Sequence, residues 1–119
     1  MSDLLFDVNL QQVPDQYLNG TWRVAERVLS QASPTTTLAQ ATQLHLQPGV
    51  LQVHTPTSQA DGSWSVNRDE RLSRPYLELH TTDEATTALI TRLRRSTDGL
   101  QSALTLYFQT GMELQLVQS

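Results

Sequence analysis

The stretch Gln43-Leu44-His45-Leu46-Gln47-Pro48-Gly49-Val50-Leu51-Gln52-Val53-His54 decides the fold. His45 splits Leu44 from Leu46, and Gln52 splits Leu51 from Val53. This period of two sends successive side chains to opposite faces of a strand. Between the two runs, Pro48 presets φ at the first turn position and Gly49 is free to take positive φ at the second, so residues 47–50 read as a type II turn. Strands joined by so short a link pair antiparallel, because a parallel crossover needs a dozen or more residues. The unit is a hairpin with one apolar and one polar face.

The same alternation extends in both directions. Upstream, in Thr21 to Leu29, Trp22, Val24 and Val28 share a face. Downstream come Trp64 and Val66, Leu77 and Leu79, then Ala88 and Ile90, with Thr91 and Leu93 following on a less regular alternation. Leu104, Leu106 and Phe108, then Met112, Leu114 and Leu116, complete the series. About eight short strands at such spacing predict a sandwich or barrel. Asp61-Gly62, Thr97-Asp98-Gly99 and Thr110-Gly111 supply further reversals. The fold class is therefore all-β, an antiparallel up-and-down meander of about eight strands curled into a barrel. Residues 30–40, including Ser33-Pro34-Thr35-Thr36-Thr37, are too long for a tight hairpin and read as a polar loop or flap over one end. Residues 3–18, interrupted by Pro14, read as a short N-terminal helix or turn that starts at Pro14-Asp15-Gln16-Tyr17.

Composition sets the outer bounds. The 119 residues suit one domain over 1–119 with a core that needs no covalent staple. With no cysteine there are no disulfides, thiolate metal sites or cysteine nucleophiles. A net charge of −4 opposes phosphate-backbone binding, so no nucleic-acid partner is expected. The start, Met1-Ser2-Asp3-Leu4-Leu5-Phe6-Asp7, has an acid where a signal peptide needs a positive charge, and no run approaches the ~18 apolar residues of a membrane span. The expected location is the cytoplasm.

Tyr17-Leu18-Asn19-Gly20-Thr21-Trp22 stands immediately before the first long strand. It resembles the lipocalin signature, in which a short N-terminal turn leads into Gly-x-Trp at the start of the first barrel strand. The eight-stranded meander after it is similar to the same group, the calycins, including the shorter bacterial lipocalin-like domains. Gly20 would let the backbone bend at the barrel end, and Trp22 would plug that end with a large apolar plate. The chain departs from the family in length, in lacking a Thr-Asp-Tyr motif, and in having no Arg in the last strand to stack on the Trp. Arg92, Arg94 or Arg95 would have to serve from an earlier strand. The resemblance implies a container for small apolar or amphipathic molecules; relatives include carriers, inhibitors, a few isomerases and bilin lyases, so fold alone does not select among them.

Trp22 is read first as a core plug and Trp64 as core packing, with Leu106 and Phe108 completing an apolar lining where a ligand would sit. Strict alternation puts Glu26 on the face of Trp22 and Val24, and Arg92 on the face of Ala88 and Ile90. Either the two charges enter the interior to orient a ligand's polar end, or both strands bulge and leave them in water. His45 and His54 lie one diagonal step apart on the polar face, while His80 belongs to another hairpin. With no third ligand in reach, no metal site and no cofactor are expected. No Gly-x-Ser-x-Gly, Walker loop or His-Glu-x-x-His occurs, so nothing positive marks an enzyme.

Two readings of function follow. In the first, the barrel binds a small hydrophobic or amphipathic ligand noncovalently through Trp22, Glu26, Trp64, Arg92, Leu106 and Phe108. In the second, the barrel is filled and acts as a protein-interaction or assembly module, through an exposed strand edge or the 30–40 loop, on a protein partner or a second copy. A bilin-lyase-like or isomerase activity stands third. Interior cavity volume separates the first two.

Overall fold

A computed structural model describes residues 5–9, 15–29, 37–69, 74–81 and 85–118. Pro14 and the 30–36 part of the expected flap lie outside these residues. Nine strands occur among them: β1 (Leu5–Asp7), β2 (Gly20–Leu29), β3 (Gln43–Gln47), β4 (Val50–His54), β5 (Gln59–Asp69), β6 (Arg74–His80), β7 (Ala85–Ser96), β8 (Ser102–Phe108) and β9 (Met112–Gln118). Every pairing is antiparallel. From β2 to β9 each strand pairs with its neighbour in sequence, except that β9 also returns to β2; β7–β8 and β8–β9 complete an eight-stranded closed barrel. Closure gives each of these eight strands a neighbour on both sides over part of its length, although β5 beyond Gly62 pairs with β6 alone.

The pleat sorts the residues as the alternation predicts. Leu44, Leu46, Leu51, Val53, Leu77, Leu79, Ala88, Ile90, Leu104, Leu106, Phe108, Met112, Leu114 and Leu116 all point inward and are at most 2% exposed. Together with Trp22 and Trp64 they form one apolar cluster. Both barrel ends are stoppered. At the end where β2 begins, a 3-10 turn (Asp15–Tyr17) leads into fully buried Leu18, and Trp22 Nε1 donates to the Leu18 carbonyl at 2.9 Å. At the other end, a 3-10 turn (Leu38–Gln40) inserts Leu38, Ala39 and Ala41 into the core, and the Arg27 guanidinium donates to the Ala41 carbonyl. The described part of the 30–40 segment therefore covers an end, as a flap would. Among the described residues the N-terminal turn is a single 3-10 turn, Asp15–Tyr17.

Three details depart from the alternation. Asp61-Gly62 is no reversal: both residues lie inside β5, and the chain turns instead at Thr55–Ser58, where the Thr55 hydroxyl accepts from the Ser58 amide at 3.0 Å. Gly62 is required for close approach, since a Cβ there would collide with the His80 carbonyl. Gly20 takes φ of 123° against the Gln118 side chain, the bend inferred for the barrel end. The third departure is a pair of β-bulges. The β2–β9 register slips between Val24 and Glu26, and the β7–β8 register slips between Ile90 and Arg92. An extra residue flips everything after it to the other face. Val28, grouped with Trp22 by strict alternation, is thus paired with outward Glu113 and half exposed.

β1 was not foreseen. It pairs with Arg94 to Ser96 of β7, and the Val8 amide continues the ladder to the Leu93 carbonyl at 2.8 Å.

Candidate functional site

The structure divides the residues singled out in the sequence into two groups. Trp22, Trp64, Leu106 and Phe108 come together in the core. Trp22 is fully buried opposite Leu44, and Trp64 is 7% exposed opposite Leu79, with its Nε1 donating to the Gln47 carbonyl at 2.6 Å. Both indoles span from one strand to a backbone carbonyl elsewhere at the same barrel end, as a buried N–H requires.

Glu26 and Arg92 do not join them. Beyond the Ala25 bulge, Glu26 stands opposite outward Gln115; beyond the Thr91 bulge, Arg92 stands opposite outward Thr105. Since Thr105 pairs with Gln115, the two charges end one row on the outer wall, about three strand spacings or roughly 14 Å apart. Without the bulges each would enter an apolar interior with no partner, at a cost of several kcal/mol. Arg92 instead meets Asp7 at 3.1 Å, and Arg94 meets the same carboxylate oxygen at 3.4 Å. The third candidate cation, Arg95, stacks 3.9 Å above the Tyr17 ring. An arginine thus does close the signature end of the barrel, but on the tyrosine before Gly-x-Trp; Trp22 has the Leu18 carbonyl instead.

The interior expected to hold a ligand is filled. A void wide enough for water would leave its walls accessible, whereas nearly all inward side chains among the described residues are inaccessible, with Val24 and Val66 partly exposed. The larger recesses open outward, among them one of about 440 Å³ beside β1 near Phe6, Val8, Tyr17 and Arg95. One of about 360 Å³ lies at the Trp64 end and is lined by Asn19, Pro48, Gly49, Trp64, Ser65 and Val66. One of about 410 Å³ crosses the outside of β3, β2, β9 and β8 near Thr21, Arg23, Gln43 and Gln118.

The outer wall carries features that the sequence reading passed over. Tyr76 pairs with Leu89, Leu89 with Tyr107, and Tyr107 with Glu113. These pairings set Tyr76, Leu89 and Tyr107 side by side on adjacent strands, with Tyr107 49% exposed. Counting register outward from the Thr110-Gly111 turn would have found the Tyr107–Glu113 pair, but the Leu89 partner depends on the length of the bulged β7. On the opposite wall, His45 and His54 adopt the expected diagonal, with ring centroids 4.7 Å apart. Among the described residues no group of three His, Asp or Glu side chains converges for a metal.

No protein-family model, curated protein or solved structure matches the chain. What the coordinates themselves establish is a closed, eight-stranded antiparallel barrel, compatible with a lipocalin-like one. No helix among the described residues is long and apolar enough to cross a membrane.

Proposed function

We propose that this chain is a lipocalin-like barrel that works as an assembly module, a filled scaffold that presents its β6–β9 wall to a second copy. The observation that carries the reading is the solid interior: with both ends stoppered by 3-10 turns, the concave surface a carrier uses is occupied by the protein's own side chains. The wall supplies what the interior does not. Tyr and other aromatics anchor interfaces when ringed by polar groups, and the Tyr76–Leu89–Tyr107 row is flanked by Glu78, Glu113 and Arg92. Acid and base on one patch suit a twofold contact, in which the Arg92 of one copy faces an acid of the other. A standard interface needs about 800 Å² per partner, roughly one-ninth of the chain's 6942 Å² surface.

Sedimentation equilibrium tests this directly. The wild-type chain should dimerise at micromolar concentration, and Leu89→Asp should hold it monomeric with an unchanged circular-dichroism spectrum. A monomer at about 1 mM, where even a weak contact of ~4 kcal/mol is half formed, would end the proposal.

The recess beside Trp64 favours a second reading. It keeps a small amphipathic ligand, but at the barrel end and not inside. Fatty acids, a retinoid and a tetrapyrrole would then raise the melting temperature and quench Trp64, and Trp64→Phe would weaken the effect.

A further inference from the structure

The β2–β5 wall, opposite the proposed contact, is polar across its middle, with Val28 and Val50 exposed nearer the strand ends. One row across it runs Thr21, His45, Gln52, Asp61, and the next runs Arg23, Gln43, His54, Gln59. The two histidines occupy the diagonal between these rows. Two imidazoles bound cis to one ion, with metal–nitrogen bonds of ~2.0–2.1 Å, hold their ring centroids about 4.5–5 Å apart. The observed 4.7 Å lies within that span before any ion is bound.

Two further observations concern the nitrogens. His45 Nδ1 is hydrogen-bonded to the Thr21 hydroxyl at 2.9 Å. With the hydroxyl accepting, the ring proton is fixed on Nδ1 and the lone pair on Nε2, the second-sphere arrangement that orients metal-binding histidines. His54 Nε2 is buried and has no hydrogen-bond partner, which is exceptional for a polar atom on a sheet surface. An ion between the rings would give that nitrogen a ligand bond. Gln52, directly opposite His45, and Gln43, directly opposite His54, place amide groups beside the pair. Formal charges nearby balance, since Arg23 and Asp61 each end one row.

We propose that His45 and His54 form a surface site for a divalent late transition metal, bound through the Nε2 atoms of both rings with solvent completing the coordination. Two imidazoles with oxygen ligands suit Cu²⁺ best, and Zn²⁺ less well. Because His54 Nε2 has essentially no accessible surface, admitting the ion requires the rings to part slightly. The site is independent of the assembly reading because it uses the other wall.

The test is titration of the purified chain with CuCl₂ and ZnCl₂, followed by calorimetry and, for Cu²⁺, electron paramagnetic resonance. One Cu²⁺ should bind at micromolar concentration with nitrogen superhyperfine structure from two imidazoles. His45→Gln and His54→Gln should each lose at least about tenfold in affinity and one nitrogen from the spectrum, while Thr21→Val should lose a smaller factor. His80→Gln should bind as wild type. No saturable Cu²⁺ binding at about 100 µM, or equal binding by His45→Gln and His54→Gln with normal circular dichroism, would overturn the proposal.

Discussion

The two halves of the barrel wall share one core and one pleat, yet differ in kind. On β2–β5 two adjacent outward rows are Thr21-His45-Gln52-Asp61 and Arg23-Gln43-His54-Gln59, every member polar. On β6–β8 one outward row is Tyr76-Leu89-Tyr107, apolar apart from its hydroxyls, between the polar pairs Glu78–Thr87 and Arg92–Thr105. Inside, the same strands present aliphatic and aromatic side chains without distinction. The interior therefore accounts for the fold, and the difference between the walls is where function has room to vary. Substitutions should divide accordingly: inward ones change stability, outward ones change what the surface meets.

The largest effect should come from the shared core. Trp22→Ala removes a fully buried indole and leaves the Leu18 carbonyl without its donor. It should cost ~3–5 kcal/mol in urea unfolding, a large share of an ordinary domain's stability. Both wall functions should then be lost together along the urea axis, at a lower concentration than in the wild type. Retention of either beyond the unfolding midpoint would show that the walls do not depend on the barrel.

Next in size is Leu89→Asp. It should reduce self-association by at least about a hundredfold, ~3 kcal/mol, while unfolding shifts by less than about 1 kcal/mol. Binding of Cu²⁺ on the other wall should not change. Coupled loss of both would mean that the two halves act as one surface.

How much of this could be read beforehand follows from range. The eight barrel strands were legible because period two is local, and the type II turn fixed the β3–β4 register well enough to place the histidines on one diagonal. The bulges were not, although Ile90 and Leu93, three residues apart and both inward, carry their trace. Strict alternation alone turns Glu26 and Arg92 inward; of the two readings, charges inside or strands bulged, the structure shows the second, with one extra residue in each strand turning them out. Asp61-Gly62 has the composition of a turn, but its glycine answers to the carbonyl of a strand that follows it. β1 depends on pairing Leu5–Asp7 with a strand some ninety residues later, which no local pattern encodes. Trp22, Trp64, Leu106 and Phe108 lie in the core; that side chains fill the barrel is a matter of summed volume, which alternation does not encode.

The smallest effect tests what holds β1. Asp7 meets two guanidinium groups, but all three side chains are substantially exposed, so solvent and salt screen the attraction. Arg92→Ala alone leaves Arg94 on the same carboxylate oxygen and should change global stability by less than about 0.5 kcal/mol. Replacing both arginines removes each ion pair that Asp7 makes among the described residues, and the strand then rests on its backbone ladder. Hydrogen exchange at the Val8 amide, which donates to the Leu93 carbonyl, reports that change locally. Exchange should speed only slightly for Arg92→Ala and severalfold for the double variant, with amides in β4 unchanged. Equal protection in all three proteins would assign β1 to its ladder alone, and the charges on this edge would then serve only to keep the bulged strand in water.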